Sequence, residues 1–143
     1  MSSPKHLTDQ EYSELLTCRA GLRRLLRWSE RRAADVGLTD TQHQLLLAIR
    51  GHGDPGGPSI GEVAEYLSTR HHSVVQLIDR TEQLGLVARQ RGGGKDRRVV
   101  RLVLTEAGRE TLALLGAAHL EELQLLAPLI GALDDRIAMP QAG

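Results

Sequence analysis

Residues 59–108 read SIGEVAEYLSTRHHSVVQLIDRTEQLGLVARQRGGGKDRRVVRLVLTEAG. Ser59 with Glu62 three residues on has the form of a capping box, so a helix is expected to open there. Ile60, Val63, Ala64 and Leu67 would be its inner face. A polar turn at Ser68-Thr69 follows. A second helix is then expected from about Arg70 to Leu84. Val74, Leu77, Ile78, Thr81 and Leu84 recur at helical spacing and predict its buried stripe, in which Thr81 is an unusual member. Gly85 is a left-handed helix stop.

Beyond Gly85, Leu86 to Arg91 is strand-like, and so is the run Val99 to Leu104, with Arg101 turned outward. The glycine-rich loop GGGKDRR joins them, which predicts a β-hairpin. Thr105 is placed to cap a further helix. Two short helices, a hairpin and a third helix are the order of a winged helix-turn-helix. The outer face of the second helix would carry Ser73, Gln76 and Arg80, flanked by Thr69 and His72, with Arg70 and His71 at its first turn. Such side chains can donate to base edges and phosphates in a major groove. Lys95, Arg97 and Arg98 at the hairpin tip are placed for phosphate or a narrow minor groove.

Outward from this stretch, Thr8 and Glu11 form another capping box. Tyr12, Leu15, Leu16, Leu22, Leu25 and Leu26 repeat at helical spacing behind it, up to a stop at Gly37. Arg23, Arg24, Arg27, Arg31 and Arg32 are either a solvated face paired with Glu30 and Asp35 or a rim that meets phosphate or a ligand. Thr39 and Gln42 open a short helix whose Leu45, Leu46, Leu47 and Ile49 are apolar nearly all round, so burial is expected. GHGDPGGP is a loop. After Thr105 a long helix is expected to kink or break at Pro128, with a last short helix over Leu129, Ile130, Leu133 and Ile137. The terminal helices carry more apolar surface than one small lobe covers, which points to a second copy of the chain. The expected division is an arm and dimerisation helix over 1–38, the DNA-binding lobe over 39–104 and C-terminal dimerisation helices over 105–143, in one compact domain. The fold class is mainly α with a small β-hairpin wing.

Composition agrees with a helical chain. There are 143 residues and no Phe, one Trp and two Tyr, so the core is aliphatic. The formal net charge is zero, which by itself argues against nucleic acid. Its distribution does not: residues 59–101 hold eight Lys/Arg against five Asp/Glu, and residues 102–143 hold two against six. A local basic face attracts phosphate on a neutral chain. Cys18 is the only cysteine, so no intrachain disulfide forms. With a polar N-terminus and no long apolar run, a cytoplasmic protein without membrane contact is expected.

The run Asp96-x-Arg98-x-x-x-Leu102-x-Leu104-Thr105-x-x-Gly108, with Gly85-Leu86-Val87-x-Arg89 before it, resembles the MarR family of bacterial transcription regulators. The likeness covers about residues 8–138, and its specific part is Ser59 to Gly108. The resemblance implies a homodimer with interlocked terminal helices, recognition helices in successive major grooves of a pseudo-palindrome, and wing arginines in flanking minor grooves. It implies a repressor released by a small aromatic or phenolic ligand bound between the dimer region and the DNA-binding lobe. Arg98 falls on the family's wing arginine and Asp96 on the acid that buttresses it, through a charge-assisted hydrogen bond. Arg70, His71, Ser73 and Gln76 fall on the family's variable reading positions. The triple glycine of the wing and Thr81 depart from the family pattern.

Three sharper claims compete with plain ones. Cys18 is either a packed thiol or a redox sensor. It lies about two residues from where the family's peroxide-sensing branch places its cysteine, a rotation of about 200° on a helix. Trp28 and His43 are either ordinary packing residues or part of a pocket for an aromatic ligand. His71 and His72 contact DNA or solvent; as helix neighbours about 100° apart they are poor joint metal ligands. No metal or other cofactor is expected. No nucleophile–base pair stands out, and the glycine loop lies in a hairpin rather than between strand and helix, so no enzyme is expected. The rival class is a winged helix that docks proteins without binding DNA; the arginines of its wing and outer face argue against it.

Overall fold

A computed structural model describes residues 6–91 and 99–138. The order of elements is α1 (Asp9–Asp35), α2 (Asp40–Gly51), α3 (Ile60–Tyr66), α4 (His71–Gln83), β1 (Val87–Arg91), β2 (Val100–Leu104), α5 (Glu106–Ala113) and α6 (Gly116–Ala138). The described residues pack as two compact units, one of residues 6–31 with 118–138 and the other of residues 32–91 with 99–117.

Helix starts are set by side chains that satisfy the orphan N–H groups of the first turn. Thr8 Oγ1 accepts from the Glu11 N–H and Glu11 Oε1 from the Thr8 N–H, both at 3.1 Å. The same reciprocal box opens α2 with Thr39 and Gln42, and α3 with Ser59 and Glu62. Thr105 Oγ1 caps α5 by accepting from the Gly108 N–H at 3.0 Å.

Three helix ends share one pattern of backbone bonds. After α1, Leu38 N–H reaches Ala33 O and Gly37 N–H reaches Ala34 O. Leu86 and Gly85 repeat this behind α4, and Thr69 and Ser68 behind α3. Each turns on a residue of positive φ: Gly37 at 78°, Gly85 at 77° and Ser68 at 49°. Ser68 is the only non-glycine residue with positive φ among the described residues.

The core of the second unit joins α2, α3, α4 and the hairpin. Leu45, Leu46, Val63, Val74, Ile78 and Leu102 have no exposed surface. The strands pair antiparallel with Val87 opposite Leu104 and Arg89 opposite Leu102. Alternation turns Val87, Leu102 and Leu104 inward. The sheet has two strands, and an isolated bridge from Ser59 to Arg101, with Leu102 N–H donating to Pro58 O at 2.8 Å, ties the start of α3 to β2. Two glycines permit close backbone approaches here. A Cβ on Gly57 would lie 2.0 Å from Leu102 O, and one on Gly108 would lie 2.0 Å from Leu86 O. The second contact explains why Gly108 stands in the sequence signature: it lets α5 start against the chain entering β1.

Four expectations are corrected. Leu47 is 43% exposed, because α2 buries only the side carrying His43, Leu45, Leu46 and Ile49. Leu84 is 56% exposed, because it is the C-cap of α4 and the chain turns away there. The helix after Thr105 breaks at Leu114–Leu115, where Leu115 N–H bonds Leu112 O and the Leu115 side chain is buried. Pro128 lies inside α6, which continues to Ala138 without a separate last helix. Proline forfeits one backbone bond, to the carbonyl four residues back, and that residue, Gln124, is exposed.

Gly57→Ala is expected to destabilise the fold by about 3 kcal/mol or more, since φ is positive and the methyl meets backbone. Urea unfolding measures it; a wild-type midpoint would contradict the close approach of the α2–α3 loop to β2.

Candidate nucleic-acid interface

The register of α4 decides what the lobe presents. Val74, Ile78 and Thr81 are fully buried. Thr81 Oγ1 donates to Leu77 O at 2.7 Å, so the hydroxyl at this otherwise aliphatic position is satisfied within its own helix. With that side fixed, 100° per residue leaves Gln76 and Arg80 exposed, and Ser73 half-buried beside them. Thr69, Arg70, His71 and His72 are exposed at the turn and first turn. Arg70 is the N-cap residue, and its side chain makes no capping bond. The first turn holds no acid. The positive end of the helix dipole therefore stands among Arg70, His71 and His72, an arrangement that favours phosphate.

Two acids flank this face and both are engaged. Arg89 Nη2 donates to Asp79 Oδ1 at 2.6 Å and Arg89 Nη1 to Glu82 Oε1 at 2.8 Å. Arg89 lies two residues from Val87, hence on the same face of β1, and that face packs on α4. Sequence reading singled out Arg89 only as a motif position. The signal for its role was the i, i+3 spacing of Asp79 and Glu82, which places both carboxylates on one side of the helix.

Arg101 is another basic residue whose role sequence alone did not give. It was expected to turn outward from β2. It lies on the outer strand face but folds back, donating to Gly57 O at 2.9 Å, with Asp54 at 3.7 Å. It ties the α2–α3 loop to the hairpin. Next to it His52 Nδ1 and the Tyr66 hydroxyl lie 3.0 Å apart, and His52 Nε2 lies 3.5 Å from Glu62. The Ser59 backbone N–H, donating to Glu62, holds this carboxyl below its usual range; desolvation, the next largest effect, opposes it, and the Ser59 side chain, His52 and Arg101 add smaller lowering effects.

The other expected residues fall as follows. Lys95, Asp96, Arg97 and Arg98 lie outside the described residues. Trp28 is half-buried on α1 and lines an open cleft of about 880 Å³ between α1 and α6. Arg24, Arg27, Arg31, Leu125 and Leu129 line it too. His43 is buried on α2 and does not line this cleft. Cys18 is a half-buried free thiol on α1. Of the basic residues of α1, Arg32 pairs with Asp35 at 3.4 Å. Among the described residues no group of three or more His, Cys, Asp or Glu could hold a metal ion, and no single helix is long and apolar enough to cross a membrane.

The geometry agrees with comparison to known proteins. The family model described as MarR family matches residues 36–98. A 72-residue match, 36% identical, joins this chain to the HTH-type transcriptional repressor MdtR of Bacillus subtilis; it spans 50% of this chain and 44% of MdtR. Over almost the full length the fold is similar to AbsC, a MarR family transcriptional regulator from Streptomyces coelicolor, at a TM-score of 0.74 and 26% identity, covering 94% of this chain and 93% of AbsC. It is also similar in fold to BpsR of Bordetella bronchiseptica, whose DNA binding is regulated by 6-hydroxynicotinic acid: TM-score 0.64, 21% identity, 96% of this chain and all of that one (100%). The MarR-family match takes in α2, α3, α4 and β1.

The lowered Glu62 value has a pH signature. A carboxylate whose folded pKa is depressed contributes stability above its unfolded pKa, and this is lost as pH falls through the folded value. Glu62→Gln is therefore expected to be less stable than wild type at neutral pH, with the gap closing below about pH 4. Paired urea unfolding curves test this; a gap of equal size at low pH would contradict a charge-assisted cap.

Proposed function

We propose that the chain is a DNA-binding transcription regulator acting as a homodimer, with α4 in the major groove of each half of a pseudo-palindromic operator. One observation carries this reading: α4 buries Val74, Ile78 and Thr81 and turns Thr69, Arg70, His71, His72, Gln76 and Arg80 outward, beside a helix N-terminus without acids. Ser73 joins that set at its edge. Lys95, Arg97 and Arg98 serve the wing, Asp96 orients Arg98, and the site of action is the cytoplasm. No catalytic role is proposed.

The homodimer rests on apolar surface. Tyr12, Leu16 and Leu26 on α1 are 57, 67 and 58% exposed, and Leu120, Leu123 and Ile130 on α6 are 58, 65 and 53% exposed. Apolar side chains exposed in such number mark an association surface. A second copy of this chain is the occupant that the family suggests.

Repression released by a small aromatic ligand is the regulatory part of the proposal. MdtR is a repressor, and BpsR responds to an aromatic hydroxy acid. The cleft beside Trp28 offers an indole, leucines and three arginines, which suits an aromatic carboxylate. His43, buried on α2, is not assigned to it.

Arg98→Ala is expected to weaken binding by about 1–3 kcal/mol per site with base preference kept. Gln76→Ala is expected to relax preference at one base position in a selection from random duplexes. Wild-type affinity in the first variant removes the wing assignment, and an unchanged preference in the second removes Gln76 from the reading set. Trp28 is the only tryptophan, so its emission reports the cleft directly. Titration with 6-hydroxynicotinate or benzoate is expected to change it saturably and to lower DNA affinity; unchanged emission with both would argue against an aromatic acid there.

A further inference from the structure

Arg89 looks like one more cation of a basic lobe, but its surroundings are those of a counter-ion. It bridges Asp79 at 2.6 Å and Glu82 at 2.8 Å with the two ends of one guanidinium. Its side chain is 28% exposed, against 54% for Asp79 and 42% for Glu82. Asp79 follows Gln76 by three residues, so it stands about 60° from it round the helix, on the side of His72. A bare carboxylate there would face the phosphates flanking any groove that α4 enters.

We propose that Arg89 is a positioning and charge-masking residue: it sets DNA affinity without touching DNA, by cancelling the carboxylates of Asp79 and Glu82 and holding α4 to β1. This rests on the DNA-binding reading above. The two effects differ in size. Ion pairs this exposed add little to stability, so loss of Arg89 is nearly silent in folding. Two uncompensated acids beside a polyanion act on every phosphate within a Debye length, about 10 Å at 0.1 M salt. Binding therefore loses more than folding does.

The bidentate geometry also fixes direction. Asp79 and Glu82 lie on one side of α4, and Arg89 comes from the inner face of β1, so α4 is held in rotation relative to the hairpin that carries the wing. A lysine in place of Arg89 would supply the charge from a single nitrogen instead of from the two separate nitrogens that now meet Asp79 and Glu82.

The test is a set of variants measured by anisotropy on the best duplex from a random-sequence selection with the wild-type chain, over a salt series. Arg89→Met is expected to bind roughly tenfold or more weakly at low salt, the loss shrinking as salt rises, with a thermal midpoint within a few degrees of wild type. Asp79→Asn with Glu82→Gln in the Arg89→Met background is expected to restore most of the affinity. Arg89→Lys is expected to lie between wild type and Arg89→Met. A triple variant as weak as Arg89→Met overturns the proposal and makes Arg89 a direct phosphate contact. A loss independent of salt and matched by a large drop in midpoint overturns it in favour of a purely structural role. Failure of the wild-type chain to select any duplex removes the DNA-binding reading and this proposal together, an outcome distinct from the other two.

Discussion

The buried stripe of α4 is the constraint on which the lobe depends. Val74, Ile78 and Thr81 are without solvent contact, and the first two sit in one cluster with Leu45, Leu46, Val63 and Leu102. Removing a buried aliphatic side chain costs about 2–5 kcal/mol, so the helix does not rotate. Every outward residue is then fixed by geometry. The reading face is the complement of the core face, and its identity follows from packing before any question of DNA arises. The turn into α4 serves the same end: Ser68 accepts a left-handed conformation so that α3 stops and α4 starts within a few residues.

Charge is organised on top of this frame. A chain of zero net charge presents a basic end to α4 because the first turn holds no acid and the acids further along the helix are partnered. Asp79 and Glu82 are held by Arg89, and Asp54 lies near Arg101. The two arginines differ from Arg70 and Arg80, which stand exposed on the outer side of the lobe. Counting charges over the whole lobe misses this division of labour, because a paired arginine and an outward one weigh the same in a sequence.

Features decided within a few residues were legible from sequence. The boxes at Thr8, Thr39 and Ser59, the cap at Thr105 and the stops at Gly37 and Gly85 all depend on neighbours in the chain, and all are present. The inner stripe of α4 was legible because its period is strong. Its last member was not: Leu84 satisfies the spacing, but the helix has already ended there. Leu47 fits an apolar helix but lies on the side that the core does not reach. The break at Leu114–Leu115 has no proline to announce it and depends on Leu115 turning into the core, whereas Pro128 announces a break that α6 does not make. Arg89 and Arg101 were opaque for one reason: their partners lie seven to ten residues away across a turn, or 44 residues away in another loop. The resemblance supplied the family and the wing signature, and Lys95, Asp96, Arg97 and Arg98 keep their roles as proposals.

The most direct test of the account is the salt dependence of specific binding by the wild-type chain. A duplex selected from random DNA, and a scrambled one of equal length, would be titrated by fluorescence anisotropy over a range of salt. The account predicts preference for the selected duplex and a log affinity that falls linearly and steeply with log salt, as several phosphate contacts from two copies of the lobe require. Equal affinity for both duplexes, or a slope near zero for a folded dimer, would contradict it and favour a winged helix that docks on protein.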